Sequence, residues 1–215
     1  MNKLIRIFLL LFSCLVAQEI DYDKLDLKYY PYIAFYEDTS DKAIKELVEA
    51  VDKGEEKTGL FLGIALGGLT QNKDTQPYFS YGVKLGYQSF LPSFFGKLSY
   101  PGMLGDRVYI QYYSSFLSQK TIFGKERFSN ISIAYDVILD LPVFRQMDAG
   151  VIVGVGLGSS IYGDNANSRL SFLINTGIGT SFWKHHRIDF ELKIIPSFDL
   201  DWFCALFTLG YNYVF

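Results

Sequence analysis

The 215 residues are poor in the side chains that most enzyme centres draw on. There are two histidines, His185 and His186, adjacent to each other, and two cysteines, Cys14 and Cys204. That complement does not make an ordinary structural zinc site, and if Cys14 is lost with an N-terminal leader, Cys204 has no disulfide partner. No catalytic constellation, metal site or cofactor site is therefore expected. Basic runs are also missing. With 20 Lys and Arg against 23 Asp and Glu, the net charge is −3, and nothing points to nucleic acid. The one sustained apolar run, Ile7 to Ala17, is too short for a helix to cross a bilayer.

What is abundant is aromatic residues, at 17%, and glycine, with 19. Lys3 and Arg6 before the run Ile7–Ala17 make a secretory signal, with cleavage after Ala17. A rival reading takes Leu11-Phe12-Ser13-Cys14 as a lipoprotein box with Cys14 lipidated; both readings export the chain. Residues 18–57 then form a periplasmic extension with one amphipathic helix. Ser40 caps a helix over about 41–53 whose stripe is Ile44, Leu47, Val48 and Val51, with Gly54 as its stop and Glu55-Glu56-Lys57 as a hinge. The role of this extension is open between a tether on the barrel rim, an internal plug and a partner-binding helix.

From Thr58 the pattern changes to a period of two. Eight strands are expected at about 58–69, 78–90, 106–118, 127–139, 147–161, 168–182, 186–196 and 202–215. All are ten residues or longer, as suits tilted strands crossing a membrane. In Arg187–Ile194 one face reads Arg, Asp, Glu, Lys and the other Ile, Phe, Leu, Ile. In Gly150–Gly158 the residues Val151, Val153, Val155 and Leu157 share a face opposite Gly150, Ile152, Gly154, Gly156 and Gly158. A soluble barrel puts bulk inside and does not surface its outer wall with glycine. A narrow transmembrane barrel does the reverse, with aliphatics in lipid and small or polar groups in a tight lumen. The fold class is thus an all-β, eight-stranded antiparallel transmembrane barrel over 58–215.

The inward-facing charges expected from this assignment are Lys84, Arg107, Asp136, Arg169, Asp189, Glu191 and Lys193, four cations and three anions that can pair inside a filled lumen. Aromatic girdles are expected around Tyr211, Tyr213, Phe215, Phe182 and Trp183 at one end, and around Phe116, Tyr162, Trp202 and Phe203 at the other. The histidine pair lies in a tight periplasmic turn. Asp164-Asn165 and Asp199-x-Asp201 are loop acids, and the sequon Asn130-Ile131-Ser132 falls within a strand.

The alternating tail Tyr211-Asn212-Tyr213-Val214-Phe215, with its terminal aromatic, resembles the closing strand of bacterial outer-membrane barrels. The region from Thr58 to Phe215 resembles small eight-stranded outer-membrane proteins of the OmpA transmembrane-domain type. Tyr-Asn-Tyr-Val-Phe and Gly59-Leu60-Phe61-Leu62-Gly63 are more loosely similar to the Helicobacter outer membrane protein family. The resemblance implies location in the bacterial outer membrane and a membrane-insertion signal in Tyr211, Tyr213 and Phe215. It also implies contact with outer-membrane lipid, lipopolysaccharide and the barrel-insertion machinery, with a host or cell-surface ligand as a further partner. The fold hosts anchors, adhesins, enzymes and channels alike. The expected role is structural or adhesion-like, without catalysis; the alternatives are a lipid-modifying enzyme and a narrow channel.

Overall fold

The computed structural model describes residues 29–33, 40–71, 74–91, 102–116, 127–144, 146–162, 168–197 and 203–215. The leader, Cys14 and the loop acids Asp164, Asn165, Asp199 and Asp201 lie outside these residues, as does Trp202. Among the described residues, two helices precede eight strands: α1 (Tyr30–Ile33), α2 (Asp41–Glu56), β1 (Gly59–Gln71), β2 (Asp74–Ser89), β3 (Leu104–Phe116), β4 (Arg127–Phe144), β5 (Met147–Tyr162), β6 (Ser168–Phe182), β7 (His186–Pro196) and β8 (Phe203–Val214). Each strand pairs antiparallel with the next, and β8 closes on β1 to complete the barrel. The expected eight strands and their order are borne out.

The two faces separate by the period of the strand. In β7, Phe190 is 53% exposed whereas Glu191 is wholly buried. Ile64, Ile133, Val153 and Ile178 are likewise exposed on the outer wall, while Lys84, Arg107, Asp136 and Lys193 are buried within. An apolar wall around a charged interior is stable only where the surroundings are hydrocarbon. Backbone groups inside such a wall have no water to turn to, and closure of the barrel gives every strand a partner on both sides.

Register explains the glycines. Asp136 stands opposite Gly154, Asp140 opposite Gly150, and Asp189 between Gly179 and Gly210. Glu191 faces Gly177, and Lys84 faces Gly63. A Cβ added at Gly154 would sit 1.9 Å from Asp136 Oδ1, and one at Gly179 would sit 2.2 Å from Asp189 Oδ1. Glycine on one strand therefore makes the room that a charged side chain on its neighbour occupies.

Most strand ends shift by a few residues from expectation, and two boundaries bear on the interior. The helix does not stop at Gly54: it runs to Glu56, with Lys57 as its C-terminal cap. Gly54 is needed for close approach instead, since a Cβ there would lie 3.0 Å from the Phe90 carbonyl and 3.2 Å from the Gly102 amide. Ser40 caps the start, its Oγ accepting from the Ala43 amide at 3.4 Å. Strand β4 continues to Phe144 rather than ending at 139, because Pro142 falls where the register with β5 shifts and its missing N–H is tolerated.

Candidate functional site

The barrel interior is the candidate site. Arg107 lies at its centre, on β3. Its Nη2 donates to Asp136 Oδ2 at 2.6 Å and to Glu191 Oε1 at 3.1 Å, and its Nη1 donates to Asp189 Oδ2 at 2.9 Å. The planar fork of a guanidinium suits three carboxylates arriving from β4 and β7. Lys84 on β2 binds the other oxygen of Glu191, and Lys193 Nζ lies 3.5 Å from that same oxygen. Asn175 on β6 donates to Asp136 Oδ1 and Glu191 Oε1, both at 3.1 Å.

Aromatic rings enclose the cluster. The Arg107 guanidinium carbon lies 5.1 Å from the Tyr109 ring centre and 5.5 Å from that of Phe61. Lys193 Nζ lies 5.8 Å from the rings of both Tyr109 and Tyr113. Buried charges need both opposite partners and polarisable neighbours, and here they have both.

Of the seven inward charges expected from sequence, the structure brings six together: Lys84, Arg107, Asp136, Asp189, Glu191 and Lys193. Arg169 is the exception. It shares the inward register of Ser171, but two residues nearer the loop end of β6 its side chain is exposed at the rim, outside the cluster. Arg187, on the charged face of β7 but absent from the expected set, is buried, donating to Asp140 and to Asp189 Oδ1. Asp140 was out of reach of the sequence reading because it lies one residue past the expected end of β4. Asp148 and Lys57 were missed as well.

Toward the loop end the charges give way to an apolar cluster among buried serines. Leu69, Phe128, Leu173, Ile195, Cys204 and Leu206 are buried in one cluster with Phe61, Tyr109 and Tyr113. On the adjoining strands, Asn130, Ser160 and Ser171 hydrogen-bond one another, which puts the sequon asparagine inside the barrel.

At the opposite end, where Gly59 and Phe215 lie, an aromatic cluster covers the outer wall of β6 to β8. His186 stacks on Phe182 at 5.5 Å and meets the Tyr211 hydroxyl through Nδ1 at 2.6 Å, and Tyr213 packs edge-on to Phe215 at 5.1 Å. The histidines are half-buried among these rings rather than standing in a solvated turn. Trp183 and Lys184 of that turn take φ of 47° and 70°, which the tight reversal into β7 requires. Of the far girdle, Phe203 is exposed, and the side chains of Phe116 and Tyr162 are outside the described residues. Among the described residues, no group of three His, Cys, Asp or Glu is placed to hold a metal.

Fold and lumen together define a small, eight-stranded outer-membrane β-barrel with a charged interior. No family model and no curated protein matches the sequence. Solved structures do. The chain is similar to the outer membrane enzyme PagL, with a TM-score of 0.55 and 14% identity over 72% of this chain and 99% of that one. It is also similar to Neisserial surface protein A (TM-score 0.47, 13% identity, 73% and 96% covered) and to the attachment invasion locus protein Ail of Yersinia pestis (0.44, 13%, 74% and 97%). At these identities the likeness to PagL speaks for the fold and not for its activity. The apolar wall and this fold place the chain in the bacterial outer membrane.

Proposed function

We propose that this chain is a filled outer-membrane barrel whose role is structural or adhesive at the cell surface, without catalysis. The observation that carries this reading is the lumen. Ten charged side chains among the described residues are buried, and an apolar cluster follows them toward the loop end. An eight-stranded barrel has an interior that side chains alone can fill, and here the filling is both ionic and hydrophobic. A barrel without a conduit acts through what it presents on its surfaces.

Two measurements test this. In planar bilayers the purified protein should give no large, steady conductance; a stable porin-sized current would overturn the filled lumen. For the surface role, cells carrying the protein should adhere to host-cell monolayers or to one another more than cells lacking it. Replacing residues 119–126 and 163–167 with Gly-Ser segments should remove that gain while heat-modifiable migration stays intact. If adhesion is unchanged by both deletion and replacement, the adhesive role is wrong. The structural role then stands or falls on whether deletion sensitises the cells to detergent.

A further inference from the structure

The buried charges form an unbroken file of alternating sign from the helix end of the barrel to its middle. Lys57 Nζ lies 3.2 Å from Asp140 Oδ2, and Asp140 Oδ1 lies 2.9 Å from Arg187 Nη1. Arg187 Nε then meets Asp189 Oδ1 at 2.6 Å, and Asp189 Oδ2 meets Arg107 at 2.9 Å. The first member of this file belongs to the helical extension; all the others stand on barrel strands.

The charge balance depends on that first member. Among the described residues, the strands bury four cations, Lys84, Arg107, Arg187 and Lys193. They bury five carboxylates, Asp136, Asp140, Asp148, Asp189 and Glu191. Lys57 is the fifth buried cation. Its Nζ also lies 2.7 Å from Asp148 Oδ2, and the half-exposed Lys53 binds the other oxygen of Asp148. Lys57 is further held over the Phe90 ring at 4.6 Å, while its carbonyl accepts from Gln88 Nε2 at 2.8 Å.

The apolar stripe of α2 is occupied elsewhere. Ile44, Leu47 and Val51 pack with Tyr29 and Ile33 in a cluster separate from that of the barrel lumen, with Leu91 beside it. What the helix offers the barrel itself is mostly charge: Lys53, Lys57 and Glu56, the last paired with Lys184 of the β6–β7 turn. Beside these contacts runs an open cleft of about 460 Å³.

We propose that Asp140 and Asp148 form an acidic receptor for primary ammonium groups at the terminal mouth of the barrel. Lys57 and Lys53 of the same chain occupy it, so that α2 is a stopper held by ion pairs. Docking completes the neutrality of the lumen, and undocking leaves one carboxylate in excess: Asp148 loses both of its lysines, while Asp140 keeps Arg187. Removing one member of a buried pair strands the other, so the docked state depends on both sides of the latch.

The test is limited proteolysis of the folded, full-length protein in detergent with subtilisin, following cleavage within residues 40–57 by mass spectrometry. Heat-modifiable migration confirms a folded barrel in each variant. Lys57→Glu should raise the cleavage rate at least about tenfold, because protease reads the undocked population. The isosteric pair Asp140→Asn/Asp148→Asn should do the same from the barrel side, and provides the reading if Lys57→Glu does not fold. Glu56→Cys/Lys184→Cys, with Cys14 and Cys204 replaced by serine, supplies a covalent lock once the two thiols are bridged by a short bis-methanethiosulfonate reagent, since side chains that meet only at their tips leave the backbones too far apart for a direct disulfide. Combined with Asp140→Asn/Asp148→Asn, the bridged form should return cleavage to the original rate, and reduction of the bridge should release it. Helices equally protected in the original protein and in the folded latch variants would overturn the proposal, as would a lock that slows nothing.

Discussion

Replacing Arg107 with methionine should destabilise the folded barrel by about 3–5 kcal/mol, the usual cost of removing one partner from a buried ionic network. The expectation rests on what methionine leaves behind. Asp136, Asp189 and Glu191 all bond to this one guanidinium and all are buried. Glu191 keeps Lys84 and Lys193, and Asp189 keeps Arg187, but Asp136 retains only neutral donors at hydrogen-bond distance, Asn175 and the Tyr109 hydroxyl. Methionine fills much of the volume between Phe61 and Tyr109, so the loss isolates charge rather than packing. Arg107→Lys should lose less, since one ammonium keeps the charge but cannot fork across three carboxylates. Urea titration in lipid vesicles, with the folded fraction read by heat-modifiable migration, measures both. A loss below about 1 kcal/mol for Arg107→Met would mean that water or a rearranged Lys84 already neutralises the site.

That network shows where a sequence can be read and where it cannot. The face of each strand is legible because side chains alternate with period two, and Phe190 and Glu191 need no neighbour to be assigned to opposite sides. Partners are not legible, because they depend on register across strands. The glycine opposite Asp136 is Gly154, 18 positions along the chain, and only the geometry of the β4–β5 turn brings the two level. Depth is also hidden. Arg169 and Ser171 share a parity, yet one stands at the rim and the other inside. Asp140 was lost for a different reason: the alternation is expected to end at 139, whereas a shift in register at Pro142 lets the strand continue. For Lys57, the sequence suggests only a hinge, and its place at the mouth beside Asp140 and Asp148 buries it.

The same alternation supports the second large effect. Phe190→Arg should cost about 2–4 kcal/mol in bilayers, the range for a cation at the lipid-facing midplane of a barrel. Phe190 is 53% exposed on the outer wall, flanked by Ile178 of β6 and Leu209 of β8, both exposed to the same surroundings. No carboxylate shares that face at those positions, so an arginine there must reach for the headgroups or thin the bilayer around it. The neighbouring change Glu191→Gln acts on the lumen instead. It should cost at least as much, because an amide oxygen still accepts from Arg107 and Asn175 but the amide NH2 replaces the oxygen that Lys84 and Lys193 share, and both buried ammonium groups lose their countercharge. The two variants also differ in medium. Transfer from vesicles to a detergent micelle that lets water and side chain reorganise should relieve Phe190→Arg and leave Glu191→Gln unchanged, because the second site is walled off by protein in either medium. Spin labels at the two positions give the geometry directly, with position 190 accessible to a lipid-soluble relaxant and position 191 shielded. The opposite accessibility would mean that charges, not aliphatics, face outward, and a barrel built that way is stable in water rather than in lipid.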